Sequence, residues 1–245
     1  MENNDLLRRA ADLYERSQRS ATLTHTGFLS PAERYALEVW AKKSGAAPVF
    51  CGGGADNERT AAFFLPDWME ELDAAEELCA IRLTAHFGEP GHRDYLGALL
   101  GMGIGREWLG DILVRGSQAW IFCLPSVQKH LLGIEKVGRV SVTAEAVPLS
   151  AVPAPERKVK PKSFSVMSMR LDAVAAGLFD LSRSEAARRI EGGALQLNYQ
   201  ECLKTDQLVR EGDILSLRGS GKGKITGTGG TSRKGRLFVY GEVYQ

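Results

Sequence analysis

The stretch "LSRSEAARRIEGGALQLN", residues 181–198, decides how the C-terminal third of the chain folds. Ser182 and Glu185 have the S-x-x-E spacing of a capping box, which starts a helix at Arg183. At about 100° per residue, Ala186, Ala187 and Ile190 share one face and turn it toward a core. Arg188 and Arg189 project from the other side, flanking Glu185. Gly192 and Gly193 end the helix in a left-handed cap, and "ALQLN" then alternates as a half-buried strand. Working outward, "MRLDAVAAGL" (169–178) is a short amphipathic helix and "DILSLRG" a second alternating strand.

The charge balance singles out this same region. The whole chain of 245 residues carries a net +1. Residues 156–236 hold 16 Lys and Arg against 9 Asp and Glu, a net of +7, which leaves 15 against 21, a net of −6, elsewhere. A basic third on an otherwise acidic protein points to a polyanionic partner for that third. The small helix has two features that attract anions. Its first N–H groups, beside Arg183 and Ser184, form a phosphate site, and the planar forks of Arg188 and Arg189 suit phosphate oxygens. For Arg189 the alternative is a plain i,i+4 pair with Glu185. Further cations follow at Lys204, Arg218, Lys222 and Lys224. The tail "GSGKGKITGTGGTSRKGR" reads as a flexible glycine-rich arm carrying Arg233, Lys234 and Arg236.

The remainder divides into recognisable sections. "PLSAVPAPERKVKPKS" (148–163), with four prolines and four basic residues, reads as an extended linker. Before it, residues 1–65 form a helical section with a β-hairpin. "NDLLRRAADLYERSQRS" has helical spacing, and a second helix follows "HTGFLSP", capped by Ser30, Pro31 and Glu33. "APVFCGGGADNERTAAFFLP" is the hairpin, turning between Gly52 and Asn57. Residues 66–147 read strand, helix, strand, strand, helix, strand, the βαββαβ order of a ferredoxin-like domain. The fold class expected is therefore α+β, with the basic module at residues 164–245.

Several function classes are disfavoured. No apolar run reaches the roughly 20 residues that span a bilayer, so no membrane partner is expected. The charged N-terminus is unlike a signal or transit peptide, and a cytoplasmic location is expected. Cys51, Cys79, Cys123 and Cys202 form no CxxC pair, and the four histidines form no HxxxH or HExxH pattern, so neither disulfides nor a metal site are expected. "GMGIG" (101–105) follows a helix rather than a strand, and "CGGGADNERT" lacks the Lys-Ser/Thr of a P-loop. Both glycine clusters read as turns, and no cofactor is expected. Arg106 and Trp108, just beyond the first cluster, could offer a cation and a stacking surface as a secondary RNA contact. The acidic run "DWMEELDAAEE" (67–77) suits a solvated face or a basic protein partner, which makes a scaffolding protein one alternative.

"RLDAVAAGL…LSRSEAARRIEGGALQLNYQECLKTDQLVREGDILSLRGSGK" closely resembles the S-four-type (αL) RNA-binding domain. In that family the two short helices and the following loop contact structured RNA. The resemblance implies an RNA surface on Arg170, Arg183, Ser184, Arg188, Asn198 and Lys204. It departs from the pattern at "NYQ" (198–200), where the family often has glycine after asparagine. "RLDA" superficially resembles the catalytic motif of pseudouridine synthases, with Asp172 as the candidate. Those enzymes place a large catalytic domain after the module, and here about 25 residues follow it, so a surface carboxylate or cap is expected instead. "HTGFLSP", "CGGGADNERTAAFFLP" and "HRDYLGALLGMGIGREWLGDILV" extend the likeness over nearly the whole chain, to the YlmH family of bacterial proteins. That resemblance implies a non-catalytic, monomeric binder of structured RNA (rRNA and tRNA) at the large ribosomal subunit, in the handling of stalled translation. An S-adenosylmethionine-dependent rRNA-modifying enzyme is the enzymatic alternative.

Overall fold

The computed structural model describes residues 2–54, 57–155 and 159–244. They fall into two compact units, Met1–Pro155 and Glu156–Gln245.

The first unit begins with α1 (Glu2–Ser20), β1 (Thr24–Leu29) and α2 (Pro31–Ser44). The α2 start is the capping box expected from the sequence. Ser30 N–H donates to Glu33 Oε2 at 2.7 Å, and Glu33 N–H donates to Ser30 Oγ at 3.3 Å. The helices bury Ala10 and Leu37 against Phe64 of the adjoining sheet. β2 (Val49–Cys51) and β3 (Thr60–Phe64) form the expected antiparallel hairpin, whose turn lies partly outside the described residues. β1 completes a sheet of order β1-β3-β2. "HTGFL", read from sequence only as a connection, is thus a strand. Its glycine disguised it, and the structure requires that glycine: a Cβ on Gly27 would lie 2.7 Å from the Glu107 carbonyl oxygen.

The chain continues through α3 (Ala74–Glu77), β4 (Cys79–Ala85), α4 (His92–Gly101), β5 (Leu109–Arg115), β6 (Gln118–Cys123), α5 (Pro125–Leu131), β7 (Lys136–Val137) and β8 (Val140–Val147). The sheet order is β5-β6-β4-β8-β7, antiparallel throughout. Leaving aside the short β7, the four long strands of the βαββαβ order lie second, third, first, fourth. Tyr95 and Leu99 of α4 and Leu131 of α5 bury one face, against Ile81, Leu83 and Ile121. Ala80 and Phe122, from the same strands, instead pack with Phe28, Ala61 and Phe63 of the N-terminal sheet. Residues 1–65 and 66–147 therefore share a core, and the boundary expected between them is a change of topology within one unit.

The stretch 148–163, expected to be an extended linker, spans the boundary between the two units but is packed at one end and paired at the other. Leu149 and Val152 pack on the first unit's Phe122 cluster. Residues 156–158 lie outside the described residues, and β9 (Val159–Val166) is a strand of the second unit. Pro161 is tolerated there because β9 is an edge strand, where a missing N–H donor breaks no ladder.

The second unit continues with α6 (Leu171–Leu178), α7 (Arg183–Glu191), β10 (Leu195–Leu197), β11 (Gln200–Glu201), β12 (Ile214–Leu217), β13 (Gly221–Thr231) and β14 (Leu237–Tyr244). Its sheet runs β11-β10-β12-β13-β14-β9. The arm expected to be flexible is thus a long hairpin, with β14 paired along all of β9. Two of its glycines are set by packing. Cβ atoms on Gly223 and Gly241 would come within 3.0 and 2.9 Å of the Leu178 side chain, so α6 lies flush on this side of the sheet. Val174, Leu178, Ala186 and Ile190 close the core from the helical side. Among the described residues, no helix is long and apolar enough to cross a membrane, and no cluster of side chains could hold a metal ion.

Candidate RNA-binding surface

The start of α6 is braced from below. Leu171 N–H donates to the Gln207 carbonyl at 2.8 Å and Asp172 N–H to that of Thr205 at 3.0 Å. This brings the loop bearing Lys204 against the helix end that holds Arg170. Asp172 lies between two arginines. Arg170 donates through Nε and Nη2 to its two oxygens, both at 3.2 Å, and Arg183 through Nε and Nη2 to Oδ2 at 3.1 and 3.0 Å. The Asp172 side chain is 7% exposed, whereas that of Arg183 is 59% exposed. Burial pushes the carboxyl pKa up, but the hydrogen bonds from Arg170 and Arg183, and the Arg183 charge, outweigh it and hold it below the usual value. The bond to Asp172 in turn raises the Arg170 pKa.

Asp172 is therefore not the surface carboxylate or cap expected from sequence. It is a counter-ion that fixes two guanidinium groups and leaves a net positive charge at the surface. Holding long side chains in place before a ligand arrives lowers the entropy lost on binding.

A second carboxylate repeats the device on α7. Arg188 donates to Glu185 from Nε at 3.0 Å and from Nη2 at 2.8 Å, and Arg189 donates from Nε at 2.7 Å. These bonds, Arg189 first and then Arg188, hold the Glu185 carboxyl below its ordinary pKa. Only half of the expected capping box forms. Glu185 N–H donates to Ser182 Oγ at 3.2 Å, while the Glu185 side chain is engaged by the arginines. Ser184 is exposed at the helix start, its hydroxyl 3.1 Å from that of Ser182. Arg188 is the most solvent-facing of the set, with 76% of its side chain exposed. Arg189 also donates to Ser220 Oγ at 3.1 Å, which ties α7 to the β12–β13 turn.

Other expected contacts resolve differently. The Asn198 amide is used internally. Its Nδ2 donates to Asp213 at 2.8 Å, and its Oδ1 accepts from Ile214 N–H at 2.9 Å. Asn198 and Tyr199 have φ of 48° and 65°, the left-handed pair of a tight hairpin turn. Tyr199 occupies the second place, and Lys222 lies over its ring at 5.3 Å. Lys204 and Arg218 are exposed. Lys222 and Lys224 flank the inward-facing Gly223 on β13, so their side chains lie on the sheet face away from α6 and α7. The residues expected to form one surface thus occupy two faces.

Arg106 is a clearer correction. Its Nη1 donates to the Leu109 and Gly110 carbonyls at 3.2 and 3.0 Å. Burial, and then the nearby Arg59 charge, lower its pKa to about 10. It is a structural brace and not an outward cation, while Trp108 remains partly exposed. Arg59 braces the same junction, donating to the carbonyls of Phe28, Arg106 and Leu109. Cys123, buried beside Cys79, has its thiol pushed up to about 12 and stays protonated at neutral pH.

Paired short helices on a sheet, with arginines held at the helix starts, form a surface suited to the phosphates of a nucleic acid. Residues 169–215 match the family model of the S4 domain, and residues 70–151 match that described as "Putative RNA-binding domain in YlmH". The chain thus combines the YlmH RNA-binding domain with a C-terminal S4 domain. It is 29% identical over 217 residues to "Ribosome-associated protein quality control protein P2" of Bacillus subtilis (strain 168), covering 87% of this chain and 84% of that protein. It also resembles the solved "Cell division protein ylmH from Streptococcus pneumoniae", at a TM-score of 0.53 and 22% identity, over 61% of this chain and 93% of that one. That second likeness concerns the fold alone.

Proposed function

We propose that this protein is a non-catalytic, cytoplasmic RNA-binding protein that acts as a monomer. It docks structured RNA of the large ribosomal subunit, together with tRNA, in the handling of stalled translation. The arrangement of Arg170, Arg183 and Arg188 around Asp172 and Glu185 carries this reading. Fixed guanidinium forks recognise the spacing of phosphates, and therefore RNA shape, rather than base sequence. The ribosomal setting is supported by the Bacillus subtilis relative, whose name places that protein on the ribosome in quality control. Two RNA-binding domains on one chain raise each other's effective concentration at a composite target.

Co-sedimentation with separated ribosomal subunits, with and without tRNA and over a range of salt, tests the proposal. Salt-sensitive association with the large subunit, strengthened by tRNA, is the expected result. Association with neither subunit, or with the small subunit alone, rejects the ribosomal assignment.

A further inference from the structure

We propose that the outer face of the β13–β14 hairpin is a second RNA-binding surface, one that takes unpaired nucleotides by stacking their bases on Phe238 and Tyr240. This rests on the RNA-binding reading above and adds a site and a ligand class to it. The hairpin lies beyond the residues that match the S4 domain.

Alternation along β14 separates two faces. Val239 and Gly241 point toward α6, where Leu178 packs against them or their neighbours. Phe238 and Tyr240 point the other way, and are 39% and 46% exposed. A single exposed aromatic is ordinary, but two at i and i+2 on one strand, about 6.8 Å apart, are spaced to take two bases. The facing strand leaves the rings open. Gly227 pairs with Tyr240, and a Cβ on Gly229 would come 3.0 Å from the Tyr240 hydroxyl and 3.4 Å from Phe238 Cβ. Any side chain at position 229 would crowd the rings. The β9 residues opposite them are Ser163 and Ser165, which are too short to cover an aromatic plane.

Positive charge brackets the rings. Lys224 lies on the same face one cross-strand pair along, opposite Glu242, whose carboxylate accepts from the Tyr244 hydroxyl. At the other end, Arg233 and Lys234 are exposed in the turn closed by the Ser232 N–H bond to the Arg236 carbonyl. Bare rings between cations match the requirements of single-stranded nucleic acid, whose bases stack without sequence preference while its phosphates are neutralised. The α6–α7 surface lacks such rings and holds fixed arginines instead, which suits folded RNA.

The test uses the full chain and fluorescence anisotropy with three probes: a short unstructured RNA, a stable RNA hairpin, and heparin as a polyanion without bases. F238A/Y240A should weaken binding to the unstructured RNA by at least about tenfold. Hairpin RNA and heparin should change by less than about twofold. The conservative F238Y/Y240F variant should bind all three like the natural protein, and F238W should show indole emission quenched by the unstructured RNA. Unchanged binding of the unstructured RNA by F238A/Y240A, or no quenching in F238W, overturns the proposal. An equal loss of heparin binding also overturns it, because the face would then act through charge or through folding. If the natural protein binds the hairpin but not the unstructured RNA, this surface alone is rejected. If it binds neither, the RNA-binding function falls with it.

Discussion

Removing Arg183 and Arg188 together tests the α6–α7 surface most directly. Both side chains are mostly exposed, and each shares its carboxylate with a second arginine. In an R183A/R188A variant, Asp172 therefore keeps its two bonds from Arg170, and Glu185 keeps its bond from Arg189. The largely exposed Arg188 pair is worth at most about 1 kcal/mol, and the buried Asp172 carboxylate stays bonded to Arg170 rather than unpaired, so the variant should remain folded, with a melting transition of ordinary cooperativity.

Its RNA binding should change in a particular way. Each phosphate contact contributes about 0.7–0.9 to the slope of log affinity against log salt, so two lost contacts should flatten it by about 1.4–1.8. Between 50 and 200 mM salt, a fourfold rise, the natural protein should therefore lose about 7–12 times more affinity than the variant. Anisotropy with one structured RNA at four or five salt concentrations measures this. Sequence changes in the paired stem should leave the difference intact, since phosphate contacts carry no base information. A folded variant with an unchanged slope would refute the assignment, whatever its affinity at a single salt concentration.

Three further outcomes follow from packing and charge. Asp172→Asn should cost the second unit about 1–3 kcal/mol at neutral pH, read by urea unfolding, because it weakens charge-assisted bonds to two arginines. The folded carboxyl titrates below its unfolded value of about 3.9, so its contribution is complete above that pH and is lost as pH falls through the lower folded value; the gap between natural and variant proteins should close in strong acid and persist at pH 6. Gly177→Ala should destabilise the second unit by about 1–3 kcal/mol, since the added Cβ would collide with the Phe164 ring of β9; an unchanged melting temperature would refute that packing. Arg106→Ala should lower the stability of the first unit while leaving the salt slope of RNA binding unchanged, and the reverse pattern would restore Arg106 as an RNA contact.

The helices of the second unit were legible because their signals are local. Ser182 and Glu185, the Ala186–Ile190 face and the terminal glycines all lie within one short segment. The central strands were legible for a similar reason, since their apolar runs mark them without distant partners. β9 and the β13–β14 hairpin were not. Their compositions, rich in Pro and Lys or in Gly, belong to linkers; β9 becomes a strand by pairing with β14 across about 75 residues, and β13 by lying between β12 and β14. Their glycines become intelligible only once Leu178 is seen resting where side chains would have been.

The site shows the same limit in its electrostatics. A sequence reading counts arginines but cannot tell which are turned outward. Arg106 and Arg188 look alike in sequence, yet one donates to buried carbonyls and the other is largely in solvent. The deciding quantity is the fate of the neighbouring acceptors, and these come from remote segments or from one helical turn away. Asp172 sits on the most apolar helix of the unit, and its position there carries the clue: a carboxylate with little access to water needs cationic partners. Arg170 and Arg183 supply them, and in doing so they are held at the surface.

Geometry then separates two kinds of recognition on one small sheet. The helical side presents arginines fixed by carboxylates, while the other side presents aromatic rings between cations. A folded RNA with an adjoining unpaired segment can engage both without the two surfaces competing for the same nucleotides. Once the first contact is made, the second becomes intramolecular, and its strength depends on the length of RNA joining them. Shortening that connecting segment in a synthetic target should abolish the gain from the second surface before it affects the first.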